Sequence, residues 1–131
     1  MNQSLVKNLI KKAEEAYKKG DYIKEKKAYQ KLYDLYKSEV GENHSNTLTA
    51  LHNLAITYSN LGDYNKACEL YNIVYNARKE ILGENHSDTL SALNNLAGSY
   101  AYLGDYSKAF KLQSIVYNAR KKSQEKTILI H

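Results

Sequence analysis

Residues 41–82 read GENHSNTLTALHNLAITYSNLGDYNKACELYNIVYNARKEIL, and residues 83–124 read GENHSDTLSALNNLAGSYAYLGDYSKAFKLQSIVYNARKKSQ. Set one above the other without a gap, 27 of the 42 positions are identical. A period in this range marks stacked supersecondary units in place of one irregular domain.

Two helices are legible inside each copy. Leu48, Leu51, Leu54, Ala55, Tyr58 and Leu61 keep the three- and four-residue spacing that lines one helix face. Gly62 ends that helix, and Asp63 caps the next, its charge suiting the positive end of the helix dipole. The second stripe is Tyr64, Ala67, Leu70, Tyr71, Val74 and Ala77. Helices joined by two or three residues run antiparallel. Gly41, just after a helix end, suits a left-handed C-terminal cap. Ser45, Asn46 and Thr47 each offer an oxygen to the amides at the next helix start, with no ground for choosing among them. The copy at 83–124 repeats the stripes with Leu90, Leu93, Leu96, Ala97, Tyr100 and Leu103, then Tyr106, Ala109, Leu112, Val116 and Tyr117. Gln113 stands where Tyr71 would recur, and Lys122, Ser123 and Gln124 replace Glu80, Ile81 and Leu82. These changes make the last helix more polar, as the closing element of a stack should be.

Upstream, Gly20, Asp21 and Tyr22 fall on Gly62, Asp63 and Tyr64 when shifted by 42, so residues 1–40 are a worn copy of the same unit. Its stripes are Leu5, Val6, Leu9, Ile10, Ala13, Ala16 and Tyr17, then Tyr22, Ala28, Tyr29, Leu32, Tyr33, Leu35 and Tyr36. The expected architecture is all-α: one domain over 1–131, built as a right-handed superhelix of antiparallel helix pairs at about 1–40, 41–82 and 83–124. A short tail, 125–131, ends in TILIH, free to fray, to fold back or to meet a second molecule.

Hydrophobic and charged residues make up 43% and 25% of the 131, ordinary values for one soluble domain. No window approaches the roughly 18 apolar residues of a membrane span, and the amphipathic N-terminus is too charged for a secretory leader. The single cysteine, Cys68, excludes an internal disulfide and a multi-cysteine metal site. These points lead to a cytoplasmic, reducing setting with no membrane partner. Residues 1–40 carry ten lysines against six acids, or +4, while 41–82 net −1 and 83–131 net +2, together +5. The lysines are spread around the helices without a dense block. A solvated face is the expected reading, and binding of nucleic acid through this lysine-rich repeat is a third-ranked alternative.

Leu51-x-Asn53-Leu54-Ala55-x-x-Tyr58-x-x-Leu61-Gly62-Asp63-Tyr64-x-x-Ala67-x-x-x-Tyr71 resembles the tetratricopeptide repeat. The 42-residue period, with LGENHSDTL between units, is similar to the longer variant of kinesin light chains, in which a proline usually stands where this chain has Ser45 and Ser87. HEAT and armadillo repeats share the length, but the LGDY turn argues against both. No heptad pattern precedes the repeats and no G-x-x-x-x-G-K-[ST] loop occurs, so neither a complete kinesin light chain nor an attached nucleotide hydrolase is expected.

The resemblance implies a non-enzymatic module that binds a protein or peptide segment in a concave groove lined by the first helix of each pair. Its groove positions correspond to Thr49, His52, Asn53, Ile56, Ser59 and Asn60 in one repeat and to Ser91, Asn94, Asn95, Gly98, Ala101 and Tyr102 in the next. The asparagine at Asn53 and Asn95 is implied to hold a peptide backbone, which suits a planar group with donors and an acceptor. Clamps for acidic tails place Lys or Arg at positions that here are Ile10, Glu14, His52, Ile56, Ser91 and Asn95, so a strongly acidic tail is not the expected ligand. Gly98, in mid-helix, would let a ligand backbone approach, with Tyr102 as a wall.

Catalysis, cofactors and metals are not expected. His44 and His86 lie one repeat apart, about 10 Å at helix-packing distance, too far for one metal ion; they read as loop structure. Cys68 reads as a small hydrophobe, Arg78 and Arg120 as solvated or paired within their own repeats, and most of the thirteen tyrosines as core. The alternative function is self-association through the terminal repeat and the apolar tail.

Overall fold

A computed structural model describes the backbone of residues 2–130 and the side chains of residues 2–127. Six helices follow one another: α1 (Gln3–Lys18), α2 (Tyr22–Val40), α3 (Ser45–Asn60), α4 (Tyr64–Leu82), α5 (Ser87–Tyr102) and α6 (Tyr106–Ile130). No strand occurs among the described residues. The fold is an all-α helical repeat, as the two superimposed stripes require.

The turn inside each pair is the same three times over. In the second repeat the Asp63 amide donates to the Tyr58 carbonyl at 2.9 Å and the Gly62 amide to Ser59 at 2.9 Å, closing the end of α3. This double closure needs a left-handed residue, and Gly62 supplies it at φ 81°. One residue on, the carboxylates of Asp21, Asp63 and Asp105 each accept the amide three positions ahead at 3.1 Å, opening α2, α4 and α6. The aspartate cap read from GDY therefore holds in all three copies.

The joint between pairs differs from expectation in two ways. Gly41 adopts φ 94° and ψ 160°, a region almost confined to glycine but not the left-handed helical one. The cap of the following helix is His44, whose Nδ1 accepts the Asn46 amide at 3.1 Å; His86 does the same for Asp88 at 3.0 Å. Thr47, one of the three candidate caps, instead donates its hydroxyl back to the Gly41 carbonyl at 2.7 Å. The threonine is spent on fastening the loop, which leaves the imidazole to cap the helix.

The helices group into two compact units, residues 1–70 and 71–131. In the first, α1 packs on α2 and α2 on α3, around Val6, Leu9, Leu32, Tyr36 and Ala50. Leu51, Leu54, Ala55, Ala67 and Leu70 are also buried there. In the second, α5 packs on α6 with Leu90, Leu93, Leu96, Ala97, Ala109 and Val116 buried. The stripes thus point inward, with Leu5, Leu61 and Leu103 left exposed near helix ends. The tyrosines correct the sequence reading: only Tyr36 and Tyr71 are buried, seven are half-buried and four exposed. A phenol buries its ring and keeps its hydroxyl wet, so it suits the margin of a core. Lysines cover some of these rings, Lys26 over Tyr58 at 5.6 Å and Lys108 over Tyr100 at 4.6 Å.

The polarity expected of the last helix is only part of its surface. Gln113 is exposed, but so are Tyr106, Phe110 and Tyr117, at 71%, 73% and 65%. The helix runs past Gln124 to Ile130, with Thr127 Oγ1 donating to the Ser123 carbonyl at 3.1 Å. The side chains of Ile128, Leu129 and Ile130, and the whole of His131, lie outside the described residues.

Candidate functional site

All six expected groove residues of the second repeat lie on α3, and all six of the third on α5. Their spacing puts each set on one face. On α3, His52, Asn53, Ile56 and Ser59 are half-buried while Thr49 and Asn60 are exposed. On α5, Ser91, Asn95, Gly98 and Ala101 are half-buried while Asn94 and Tyr102 are exposed. The opposite faces are the buried ones, Leu48, Leu51 and Leu54 in one helix and Leu90, Leu93 and Leu96 in the other. A Cβ placed on Gly98 would meet no atom within 4 Å, so open space lies in front of it.

A cavity of about 360 Å³ opens on this face of α3 within the first unit. Asn53 and Ile56 of α3, Glu14, Tyr17 and Lys18 of α1, and Glu25 and Tyr29 of α2 line it. Shifted by 42, Glu14 falls on Ile56, Tyr17 on Ser59 and Lys18 on Asn60, so α1 contributes its own equivalents of the expected positions.

Glu25 was not among the sequence candidates. It is 4% exposed, and its Oε1 has no hydrogen-bond partner. Burial pushes its carboxyl above the ordinary value, and a hydrogen bond with the Thr57 hydroxyl works the other way. That hydroxyl also lies 2.9 Å from the Asn53 carbonyl, to which it donates, and one proton cannot serve both acceptors. Burial likewise pushes the Tyr29 phenol up, aided by the charges of Glu25 and then Glu14. The phenol thus feels both carboxylates. The missed signal was the repeat register: Glu25 falls on Ala67 and Ala109, two closely packed alanines.

In the second unit, Asn94 of α5 lines an open recess of about 420 Å³ with Gln113, Tyr117 and Arg120 of α6. Arg120 is exposed. Arg78 departs from the expected pairing within its own repeat. It is half-buried and donates from Nη1 to the Asp88 carbonyl of the next repeat at 3.1 Å. Burial lowers its pKa and the Asp88 carboxylate opposes this.

His44 and His86 are helix caps, in line with the reading of their loops as structural. Cys68 is buried and outside any disulfide. Among the described residues no three His, Cys, Asp or Glu side chains group to hold a metal ion, and no helix is long and apolar enough to cross a membrane.

These features define an all-α helical repeat protein with a partly open face on the first helix of each pair. The family model of the tetratricopeptide repeat matches residues 8–72 and again 58–122, and the chain belongs to that family. Solved structures agree on the fold. A crystal structure described as Podosopora anserina putative kinesin light chain nearly identical TPR-like repeats superimposes with a TM-score of 0.84 at 21% identity, covering 95% of this chain and 58% of that one. BtubC (BKLC) from P. vanneervenii gives 0.78 at 20% identity over 84% of this chain and 43% of its own. The TPR domain of Arabidopsis FLU gives 0.79 at 17% identity over 93% and 99%. The chain therefore spans less than six-tenths of the first of these structures and nearly all of the last. No curated protein matches it in sequence. Tetratricopeptide repeats serve in general as non-enzymatic scaffolds for protein–protein interaction.

Proposed function

We propose that the chain is a binding module or adaptor that takes a peptide or protein segment on the first-helix faces of its repeats. One observation carries this reading. Between the second and third repeats, the buried face of the first helix changes only from Thr57 to Ser99, while the open face changes from Thr49, His52, Ile56, Ser59 and Asn60 to Ser91, Asn94, Gly98, Ala101 and Tyr102. Asn53 and Asn95 alone persist there, each with an amide able to bracket an extended backbone. The surface fits a polar, mixed-sequence segment, and the single buried Cys68 fits a reducing, cytoplasmic setting. Panning a peptide library on the chain should yield binders that Asn53→Ala with Asn95→Ala weakens while helicity is kept. Binders indifferent to that pair would remove the groove from the account.

A second reading, self-association, draws on the exposed Tyr106, Phe110 and Tyr117 of α6, which recur at four and seven residues and share a face. Sedimentation of the chain and of Phe110→Ser decides it. A monomer in both cases ends this reading, and a dimer lost in the variant supports it.

A further inference from the structure

We infer that the cavity among α1, α2 and α3 is a subsite for the cationic side chain of a basic peptide, whose guanidinium or ammonium group seats against the Glu25 carboxylate. The inference rests on the reading of the α3 face as ligand-binding, since Asn53 and Ile56 form part of the wall. It adds the chemistry of the ligand.

Three observations converge on a cation. First, Glu25, a residue 4% exposed whose Oε1 is closed to solvent and lacks any partner, is among the residues lining a cavity of about 360 Å³. A buried acceptor left unmade is costly, and a charged donor repays it best. Second, Glu14 of α1 also lines the cavity, and the charges of Glu25 and Glu14 both act on the Tyr29 phenol. Third, the other walls suit a long aliphatic stem with a charged tip. Tyr17 and Tyr29 bring aromatic rings, a residue type that attracts cations, and Ile56 brings an apolar side chain. The site is also peculiar to this repeat, because Ala67 and Ala109 occupy the equivalent places in the other two.

Lys18, which also lines the cavity, is exposed. Of the lysines flanking Glu25, Lys24 and Lys27 are exposed and Lys26 is half-buried over the Tyr58 ring; salt screens exposed charges beyond about 8–10 Å.

The test is an NMR titration of the whole nitrogen-15-labelled chain with N-acetyl-arginine amide, N-acetyl-lysine amide and the neutral isostere N-acetyl-citrulline amide. The cationic probes should move the amides of Glu14, Glu25, Tyr29 and Asn53 and bind roughly tenfold or more tighter than citrulline, as the loss of a hydrogen bond between charged groups implies. Glu25→Gln should remove that preference. Glu25→Ala, which installs the residue of the other two repeats, serves as a second variant if Gln unfolds the chain. Equal binding of citrulline, a Glu25→Gln chain that keeps the preference, or no movement of those amides overturns the subsite. Failure of the two readings is distinguishable. Panned peptides that depend on Asn53 and Asn95 but lack Lys and Arg sink the subsite and keep the groove. Arginine-probe binding with no peptide captured keeps the subsite and sinks the groove.

Discussion

Gly98→Ala and Gly41→Ala make the same chemical change, and the structure assigns them opposite signs. Gly98 lies inside α5, and a Cβ built there meets nothing within 4 Å. Alanine therefore gains helix propensity without overpacking, worth about 1 kcal/mol. For a chain of this size that raises Tm by about 4 °C. Gly41 has equally open surroundings, so crowding is not the issue there either. Its φ of 94° and ψ of 160° are the issue. An alanine held there costs about 1–3 kcal/mol in backbone strain, offset by about 0.4–1 kcal/mol from a stiffer unfolded chain. Because that backbone region is essentially confined to glycine, the upper end of the strain range applies, and the net loss is about 2 kcal/mol. Relaxing the strain would move the carbonyl that Thr47 Oγ1 grips at 2.7 Å, so the loop cannot yield without losing its fastening. Urea unfolding followed by circular dichroism measures both, with the midpoint read at unchanged m-value. A neutral Gly41→Ala, or a destabilising Gly98→Ala, refutes the reasoning. If the space before Gly98 admits a ligand backbone, the stabilised Gly98→Ala chain should also bind panned peptides more weakly.

Other perturbations read out single contacts. Thr47→Val should cost about 1–2 kcal/mol in urea unfolding, because the hydroxyl's bond to Gly41 is lost, whereas Thr89→Val, replacing a buried hydroxyl without a partner by its apolar isostere, should be neutral or stabilising by about 1 kcal/mol. His44→Ala should cost about 0.5–2 kcal/mol through loss of the α3 cap, with His44→Asn recovering most of it; equal stability of the alanine and native chains would refute the imidazole cap. For Glu25 the folded carboxyl sits above its ordinary value of 4.5, so its contribution is fully present below pH 4.5 and is lost as pH rises through the folded value. The stability of Glu25→Gln relative to the native chain should accordingly improve between pH 4 and pH 7, and a pH-independent difference would refute the burial.

How much was readable in advance follows from the kind of signal each feature leaves. The helix pairs show because burial imposes a period on Leu51, Leu54, Leu93 and Leu96, and because glycine and aspartate punctuate each turn. The cap at His44 did not show, because Ser45, Asn46 and Thr47 all offer better-known capping oxygens, and which side chain turns towards the amides depends on where the loop carbonyls lie. The tyrosines misled because periodicity reports which face a residue occupies, whereas the depth of burial depends on what packs above it. The face of α3 was readable from the register alone. The cavity beneath it was not, since it joins three helices.

Departures from a repeat's own pattern fall into two physical kinds. At exposed or half-buried positions such as Thr49/Ser91 and Ile56/Gly98, a substitution costs little, so difference alone carries weak information. At a buried position the cost is real. An alanine at Ala67 or Ala109 lets two helices close up, whereas a carboxylate at Glu25 must be desolvated, holds an unpartnered oxygen and leaves a cavity beside it. Chains near a stability threshold retain such a residue where it returns something other than stability. Glu25 is thus the more informative departure. The open faces of α3 and α5 support binding in general, while the buried acid narrows the ligand to one that brings a positive charge.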